Sequence, residues 1–441
     1  MNYILLLGIL LLLGLLSTRV VKKLKLPNVT GYLIIGLLTA LICILIDKFA
    51  NQSFTNELIK LNDVLSDVAL GFIALSIGEE FKLSKIKEYG MKIISITIIQ
   101  ALLAVILVDI GLVIICLLLG LTPAIAICLG AIAAATAPAA TLMVIHQYKA
   151  KGPLVDILLP VVAFDDAIGL IVFAISVSIA KVISSGSPIT FMSICLIPLL
   201  DIIGSILIGF LLGVLLHYVV KFFQSRNNHI INLITFTLLG VGICKAINNI
   251  SIGGEFLEFS NLLCCMMIGA VYINMAKNDE KEIVERDFGL IDRWTPALFM
   301  LFFVLSGTHL VTSANSILTN SDINFAYVFI IFLGYLILRS VGKILGAYIG
   351  CKITHRIPTI TKHLGFTLLP QAGVAIGMAN QISNNAAFNA SGIGNVIVTV
   401  VLCATLVYEL VGPLLTKWSL EKAGEIPNEL GIYPYEVQNN K

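Results

Sequence analysis

Ala135-Thr136-Ala137-Pro138-Ala139-Ala140-Thr141 interrupts an otherwise apolar run at 123–145, and Leu369-Pro370-Gln371-Ala372-Gly373-Val374-Ala375-Ile376-Gly377 interrupts another at 361–381. Each run is long enough to cross about 30 Å of hydrocarbon as a helix, yet each carries a proline near its middle. Proline removes a helical hydrogen bond and clashes with the preceding turn, and glycine weakens the helix further. One such break would read as a kink. Two breaks read differently, because Pro138 and Pro370 stand 232 residues apart and that offset carries the fifth apolar run of the chain onto the twelfth. Seven runs apart, the two helices cross a membrane in opposite directions.

Working outward, the spans are 3–20, 28–46, 62–80, 92–119, 123–145, 154–180, 192–220, 230–248, 257–275, 294–311, 324–350, 361–381 and 393–416. The predicted fold is an all-α polytopic membrane protein of about 13 transmembrane helices, with two inverted repeats and two broken crossover helices. The first repeat takes residues 1–181, a linker span 182–228, the second repeat 229–418 and a short cytoplasmic tail 419–441. Composition agrees. Hydrophobic residues are 58% of the 441 and charged residues 12%, with a mean hydropathy of +0.99. About 25% charged is usual for a soluble domain, so a soluble enzyme, a nucleic-acid binder and a disordered scaffold are excluded. The net charge of +2 decides nothing, since its distribution matters and its sum does not.

That distribution sets the orientation. With the N-terminus outside, 22 Lys and Arg fall on the inner loops and tail, and only Lys48, Lys60, Lys181 and Lys245 fall outside. This is the positive-inside pattern of a multi-pass cell-membrane protein whose C-terminus is cytoplasmic. The run Ile4–Leu16 has no positive charge before it and no small-residue cleavage site after it, so it reads as an uncleaved first span. Nine cysteines are scattered singly, apart from Cys264-Cys265, and read as small buried hydrophobes.

The sixth span holds Pro160-Val161-Val162-Ala163-Phe164-Asp165-Asp166-Ala167-Ile168-Gly169-Leu170. Each charge at the bilayer centre costs about 2.5–3.5 kcal/mol on insertion scales, so the pair costs about 5–7 kcal/mol. A whole domain is stable by about 5–15 kcal/mol, so a carboxylate pair at that depth points to function. Adjacent helical positions point about 100° apart, which lets one acid face a cation cavity while the other faces a neighbouring helix. A partner is available in the eleventh span, where Arg339-Ser340-Val341-Gly342-Lys343 places a lysine among apolar residues with Arg339 one turn before it. Desolvation lets a buried carboxyl exchange protons near neutral pH. The same oxygens are hard ligands for a small cation, and Thr136 in the broken fifth helix can add a hydroxyl. The transported Na⁺ is thus expected on Asp166 and Thr136. Proton and cation then compete for one site, and competition with alternating access gives exchange.

Other charges carry less. Asp63 and Asp67 open the third span as at a helix N-terminus, and Glu79 and Glu80 close it as interfacial partners of Lys82 and Lys85. Asp109, Asp201 and Glu409 lie in apolar surroundings without an evident partner. Five of six histidines, at 146, 217, 229, 355 and 363, fall on the inner side and read as solvated loop residues.

Taken together, Ala-Thr-Ala-Pro-Ala-Ala-Thr in the fifth span, Phe164-Asp165-Asp166 in the sixth, Arg339-Ser-Val-Gly-Lys343 in the eleventh and Pro370-Gln-Ala-Gly373-Val-Ala-Ile-Gly377 in the twelfth resemble the bacterial monovalent cation:proton antiporters. The paired aspartates place the chain nearer the electrogenic Na⁺/H⁺ branch. The resemblance covers nearly the whole chain. It implies a core of spans 4, 5, 6, 11, 12 and 13 moving against a dimerisation scaffold, hence a homodimer, with no cofactor. It implies that Asp166 carries the cation and the proton and that Asp165 bridges to Lys343. Position 137 is alanine where several relatives place an acid. Close relatives differ in their choice among Na⁺, Li⁺ and K⁺, so a K⁺/H⁺ antiporter or a cation channel of the same fold stays open. An intramembrane aspartyl protease would put its two acids on different helices, and an organic-anion symporter fits poorly with a bare aspartate pair. A gated potassium efflux system would usually carry a cytosolic nucleotide-binding domain.

Overall fold

The computed structural model describes residues 3–427 apart from 24–27, 51–53, 138–140, 143, 146–147, 186–196, 224, 248–250, 253–254, 257–258, 278–279, 321–323 and 390–391. The described chain is helical almost throughout. Its helices are α1 (Tyr3–Lys23), α2 (Asn28–Ala50), α3 (Phe54–Glu80), α4 (Leu83–Leu118), α5 (Ala124–Ala133), α6 (Pro153–Ser185), α7 (Ile197–Lys221) and α8 (Arg226–Ile247). After a two-residue antiparallel pairing, Ser251–Ile252 with Glu255–Phe256, come α9 (Asn261–Met275), α10 (Lys281–Trp294), α11 (Pro296–Asn320) and α12 (Phe325–Ile353). The chain closes with α13 (Pro358–Thr367), α14 (Gly373–Ser383), a short α15 (Ala386–Asn389) and α16 (Ile393–Lys422).

Nine of the described helices, α1, α2, α4, α6, α7, α8, α11, α12 and α16, are long and apolar enough to cross a membrane, and α5 and α9 are shorter apolar helices. Each of the thirteen runs read from the sequence holds helix among its described residues, and the fifth and twelfth are broken as expected. α5 stops at Ala133, and α13 and α14 are separated by Leu368–Ala372. Helices of this length turn apolar side chains outward. Ile110, Ile114 and Leu117 of α4 are 57%, 54% and 61% exposed along one face, as a lipid-facing surface requires.

The contact that positions the site is between α4 and α12. Gly342, Gly346 and Gly350 lie against the backbones of Ala104, Gln100 and Ile96 so closely that a Cβ on Gly342 or Gly346 would sit 2.6 Å from a Cα of α4. Small residues at four-residue spacing let two membrane helices approach backbone to backbone. The descending partner numbers show that the helices run antiparallel. Lys343 therefore arrives beside Gln100, deep in the bundle.

Two expectations are corrected. α4 begins earlier than the run at 92, with a segment Leu83–Tyr89 that turns into the span at Gly90, whose φ of 74° is a left-handed value that suits glycine. The stretch between the ninth and tenth runs is the amphipathic helix α10, which buries Val284, Phe288 and Ile291 at helical spacing and exposes Lys281, Glu282 and Glu285. Its polarity hid it from a search for apolar spans. Lys82 reaches across to Glu285 of this helix at 2.8 Å.

Two of the inner-side histidines are also not solvated loop residues. His229 is buried with Nδ1 2.8 Å from Asp287, which also accepts from the Tyr272 hydroxyl at 2.7 Å. His217 is buried 3.8 Å from Glu280, which pairs with Lys221 at 2.9 Å. His355 is exposed, His363 meets Trp418 edge-on with ring centroids 5.4 Å apart, and His146 lies outside the described residues. The eight described cysteines are free and, save Cys403, buried.

Candidate functional site

A broken helix leaves up to four carbonyls without partners at its C-terminal end, and none can be left bare at membrane depth. The end of α5 meets this demand with side chains from elsewhere. The Gln371 amide donates to Ile132 O at 3.0 Å. Arg339 donates from Nε to Ala133 O at 3.2 Å and from Nη2 to Ala135 O at 2.7 Å. The Lys343 ammonium donates to Ala134 O. Four consecutive carbonyls are thereby satisfied, two of them by one guanidinium. Arg339 also donates from Nη1 to Leu369 O at 2.8 Å, so it binds the ends of both breaks, and its guanidinium stacks 4.4 Å from the Tyr408 ring centre. Cations are favourable at helix C-termini because they meet the negative end of the backbone dipole. Arg339 was expected beside the carboxylates; its bonds go to backbone instead.

The two breaks are tied directly as well. Ala137 N–H donates to Pro370 O at 2.8 Å, and the Thr141 hydroxyl donates to Thr367 O at 3.2 Å. Pro370 thus closes one break by accepting a bond from the other. Gly373 opens α14, and a Cβ there would meet Phe303 at 3.4 Å, ordinary contact. Pro138 lies outside the described residues.

On α6, Asp165 and Asp166 are 0% and 3% exposed. Asp165 is heavily bonded. Lys343 donates to its Oδ2 at 2.7 Å, the Thr136 hydroxyl donates to the same oxygen, and the Gln100 amide donates to Oδ1. Lys343 spends its three protons on Asp165, on Ala134 O and on the Thr136 hydroxyl oxygen at 3.0 Å. Asp166 is bonded far more sparingly. Among the described residues its Oδ1 accepts one long bond, 3.3 Å, from the backbone N–H of Thr136. The Thr136 hydroxyl, expected on the cation side, therefore sits on Asp165, while its backbone reaches Asp166.

A cavity of about 150 Å³ lies farther along α6, lined by Phe173, Val177 and Lys181 of that helix and by Asp67, Asp201, Lys245 and Gln381. Phe173 is two helical turns from Asp166, about 10 Å along the axis. Asp67, expected only to start its helix, pairs with Lys245 on α8. Three polar residues of the centre escaped the sequence reading: Gln100, Gln371 and Tyr335, which exchanges hydrogen bonds with the Gln371 amide at 2.9 and 3.2 Å. The available signal was an amide within an otherwise apolar span, which the search for charges passed over.

Comparison with known proteins agrees with this architecture. The structure is similar to that of MjNhaP1, the sodium proton antiporter from Methanocaldococcus jannaschii, with a TM-score of 0.67 at 18% identity over 95% of this chain and 98% of that one. No curated protein matches in sequence. Residues 8–422 match the model of the transmembrane sodium/hydrogen exchanger family. The chain belongs to that family and is a cation/proton antiporter.

Proposed function

We propose that the chain exchanges Na⁺ for H⁺ across the cell membrane by alternating access, with cation and proton competing for Asp166. The observation that carries this reading is the inequality of the two adjacent acids. Asp165 has its oxygens occupied by Lys343, Thr136 and Gln100, so it holds the crossover together. Among the described residues Asp166 meets no strong donor, as a group must if it is to take a proton or a cation in turn. A desolvated Na⁺ needs several oxygens at once. Beside the carboxylate, the broken helices offer backbone near the same point.

The remaining organisation follows from the same reading. Residues 1–181 and 229–418 form the inverted repeats, with 182–228 as linker, and 419–441 forms the cytoplasmic tail. The N-terminus is outside by the charge bias, which puts the cavity at Phe173 and Lys181 on the outer side of Asp166. The protein works as a homodimer. In everted vesicles carrying a pH dye, a Na⁺ pulse is expected to move protons, with Li⁺ and K⁺ pulses ranking selectivity. Cation-dependent conductance without proton movement would mark a channel and overturn the proposal.

A further inference from the structure

Three carboxyls in the membrane region, Asp109, Asp201 and Glu409, take no part in the crossover, and Glu409 is the most buried of them. Glu409, in the middle of α16, is 1% exposed, and neither carboxyl oxygen has a hydrogen-bond partner among the described residues. Its polar neighbour on α2 is Thr30, fully buried, whose hydroxyl is likewise without a partner in hydrogen-bonding geometry. Thr405, one turn before Glu409 on the same face of α16, is fully buried with an unpartnered hydroxyl, and Thr416 repeats the pattern on the other side. Spacings of four, three and four residues put Thr405, Glu409, Gly412 and Thr416 on one stripe. Hydroxyls of helical Ser and Thr commonly bond back to a carbonyl of the preceding turn; those of Thr405 and Thr416 do not.

An unpaired carboxylate in such a place is far too costly to persist, so in this conformation the group is the neutral acid. The charged and titratable groups on the elements packed around α16 act elsewhere. Arg339 binds backbone carbonyls, Lys343 binds Asp165, and Tyr335 binds Gln371. His309 on α11 meets Asn380 at 3.0 Å, and His363 on α13 meets Trp418 edge-on. Tyr32 packs among apolar side chains, and Asp47 and Lys48 lie at the far end of α2.

We propose that Glu409 carries an exchangeable proton in the seam between α2 and α16, a second protonation site separate from the aspartate pair. When water enters the seam, the carboxyl O–H bond breaks, the proton passes to water as hydronium, and the Thr30 and Thr405 hydroxyls turn to donate to the carboxylate left behind. The same stripe touches the crossover. Gly412 packs on Pro370, where an added Cβ would come within 2.7 Å of the ring, so displacement of the break moves the stripe. The ligand is a proton and not a metal cation, because one carboxylate and two hydroxyls fall short of the oxygens a dehydrated cation requires.

Infrared difference spectroscopy on the purified full chain in lipid tests this without calling on transport, so it is independent of the role given to Asp166. The expected result is a protonated-carboxyl band that disappears as pH is raised, is absent in Glu409→Gln and persists in Asp166→Asn. Thr30→Val, which keeps the acid, is expected to retain the band and displace the pH at which it disappears. A Glu409→Gln spectrum identical to wild type would overturn the proposal. So would a Glu409 band that persists at every pH, which marks a locked structural acid, or a Thr30→Val titration that does not move.

Discussion

Asp165 and Asp166 are adjacent on one helix and equally buried, yet their surroundings differ completely. Asp165 accepts from an ammonium, a hydroxyl and an amide, while Asp166 accepts one long backbone bond. A turn of about 100° separates them, and it is enough to put one against the antiparallel α4–α12 pair and the other toward the broken α5. On the proposed reading, one apolar helix holds both a structural charge and a working one. The Asp165 charge supports the break, because Lys343 serves the Ala134 carbonyl at the end of α5 and Asp165 together.

The largest effect that can break this comparison comes from Asp166→Asn. The amide neither releases a proton nor offers the charge that offsets a dehydrated cation, so Na⁺-driven proton movement in vesicles is expected to vanish while the folded protein remains. Retention of near-normal exchange would reverse the roles given to the two acids. Next comes Lys343→Ala, which leaves a buried carboxylate without its cation and is expected to cost about 3–5 kcal/mol. Adding Asp165→Asn should recover part of that loss, since no orphan charge remains. Detergent melting temperatures of both singles and the double measure the coupling, and strictly additive shifts would contradict the bridge.

Thr136→Val is expected to act on the Asp165 side. Its hydroxyl accepts from Lys343 and donates to Asp165, so its loss should lower the melting temperature and leave the KM for Na⁺ nearly unchanged. A higher KM with unchanged melting would move Thr136 to the cation side. The smallest effect concerns the chain after α16, where the Glu425 carboxylate accepts from Leu154 N–H and, at 3.0 Å, from Val155 N–H at the start of α6. Burial pushes this carboxyl above its usual range, against the lowering effect of the two N–H bonds. A carboxyl whose folded value is raised contributes stability that is fully present below the unfolded value, about 4.3, and is lost as pH rises through the folded value. Melting temperature should therefore fall across that window, by about 2–4 °C for each kcal/mol. Glu425→Gln should flatten the dependence; an unchanged slope would assign it to another group.

Much of this was legible in the sequence, because the membrane makes departures from apolar composition conspicuous. Two prolines at matching depth gave the breaks, and two acids and a lysine gave the centre. What stayed hidden depends on geometry that residue types do not encode. Arg339 looked like a second partner for the acids, yet Lys343 already occupies Asp165, and the several donors of the guanidinium span carbonyls at the ends of both breaks. Gln100 is one polar residue in an apolar span, and only the packing of α4 against α6 brings it to Asp165. α10 is amphipathic and lacks an apolar run, so a reading by hydropathy passes over it, and with it the burial of His229 against Asp287.

The central claim is that proton and cation occupy Asp166 alternately, and its most direct test is the KM for Na⁺ as a function of pH, read as transport current or proton flux from reconstituted protein. One-for-one competition predicts that KM rises about tenfold for each unit of acidification below the titration of the site, since cation binding must displace a proton, while the maximal rate at saturating Na⁺ stays constant. A KM independent of pH, with only the maximal rate falling on acidification, would show that the proton and the cation occupy different groups and would contradict the account.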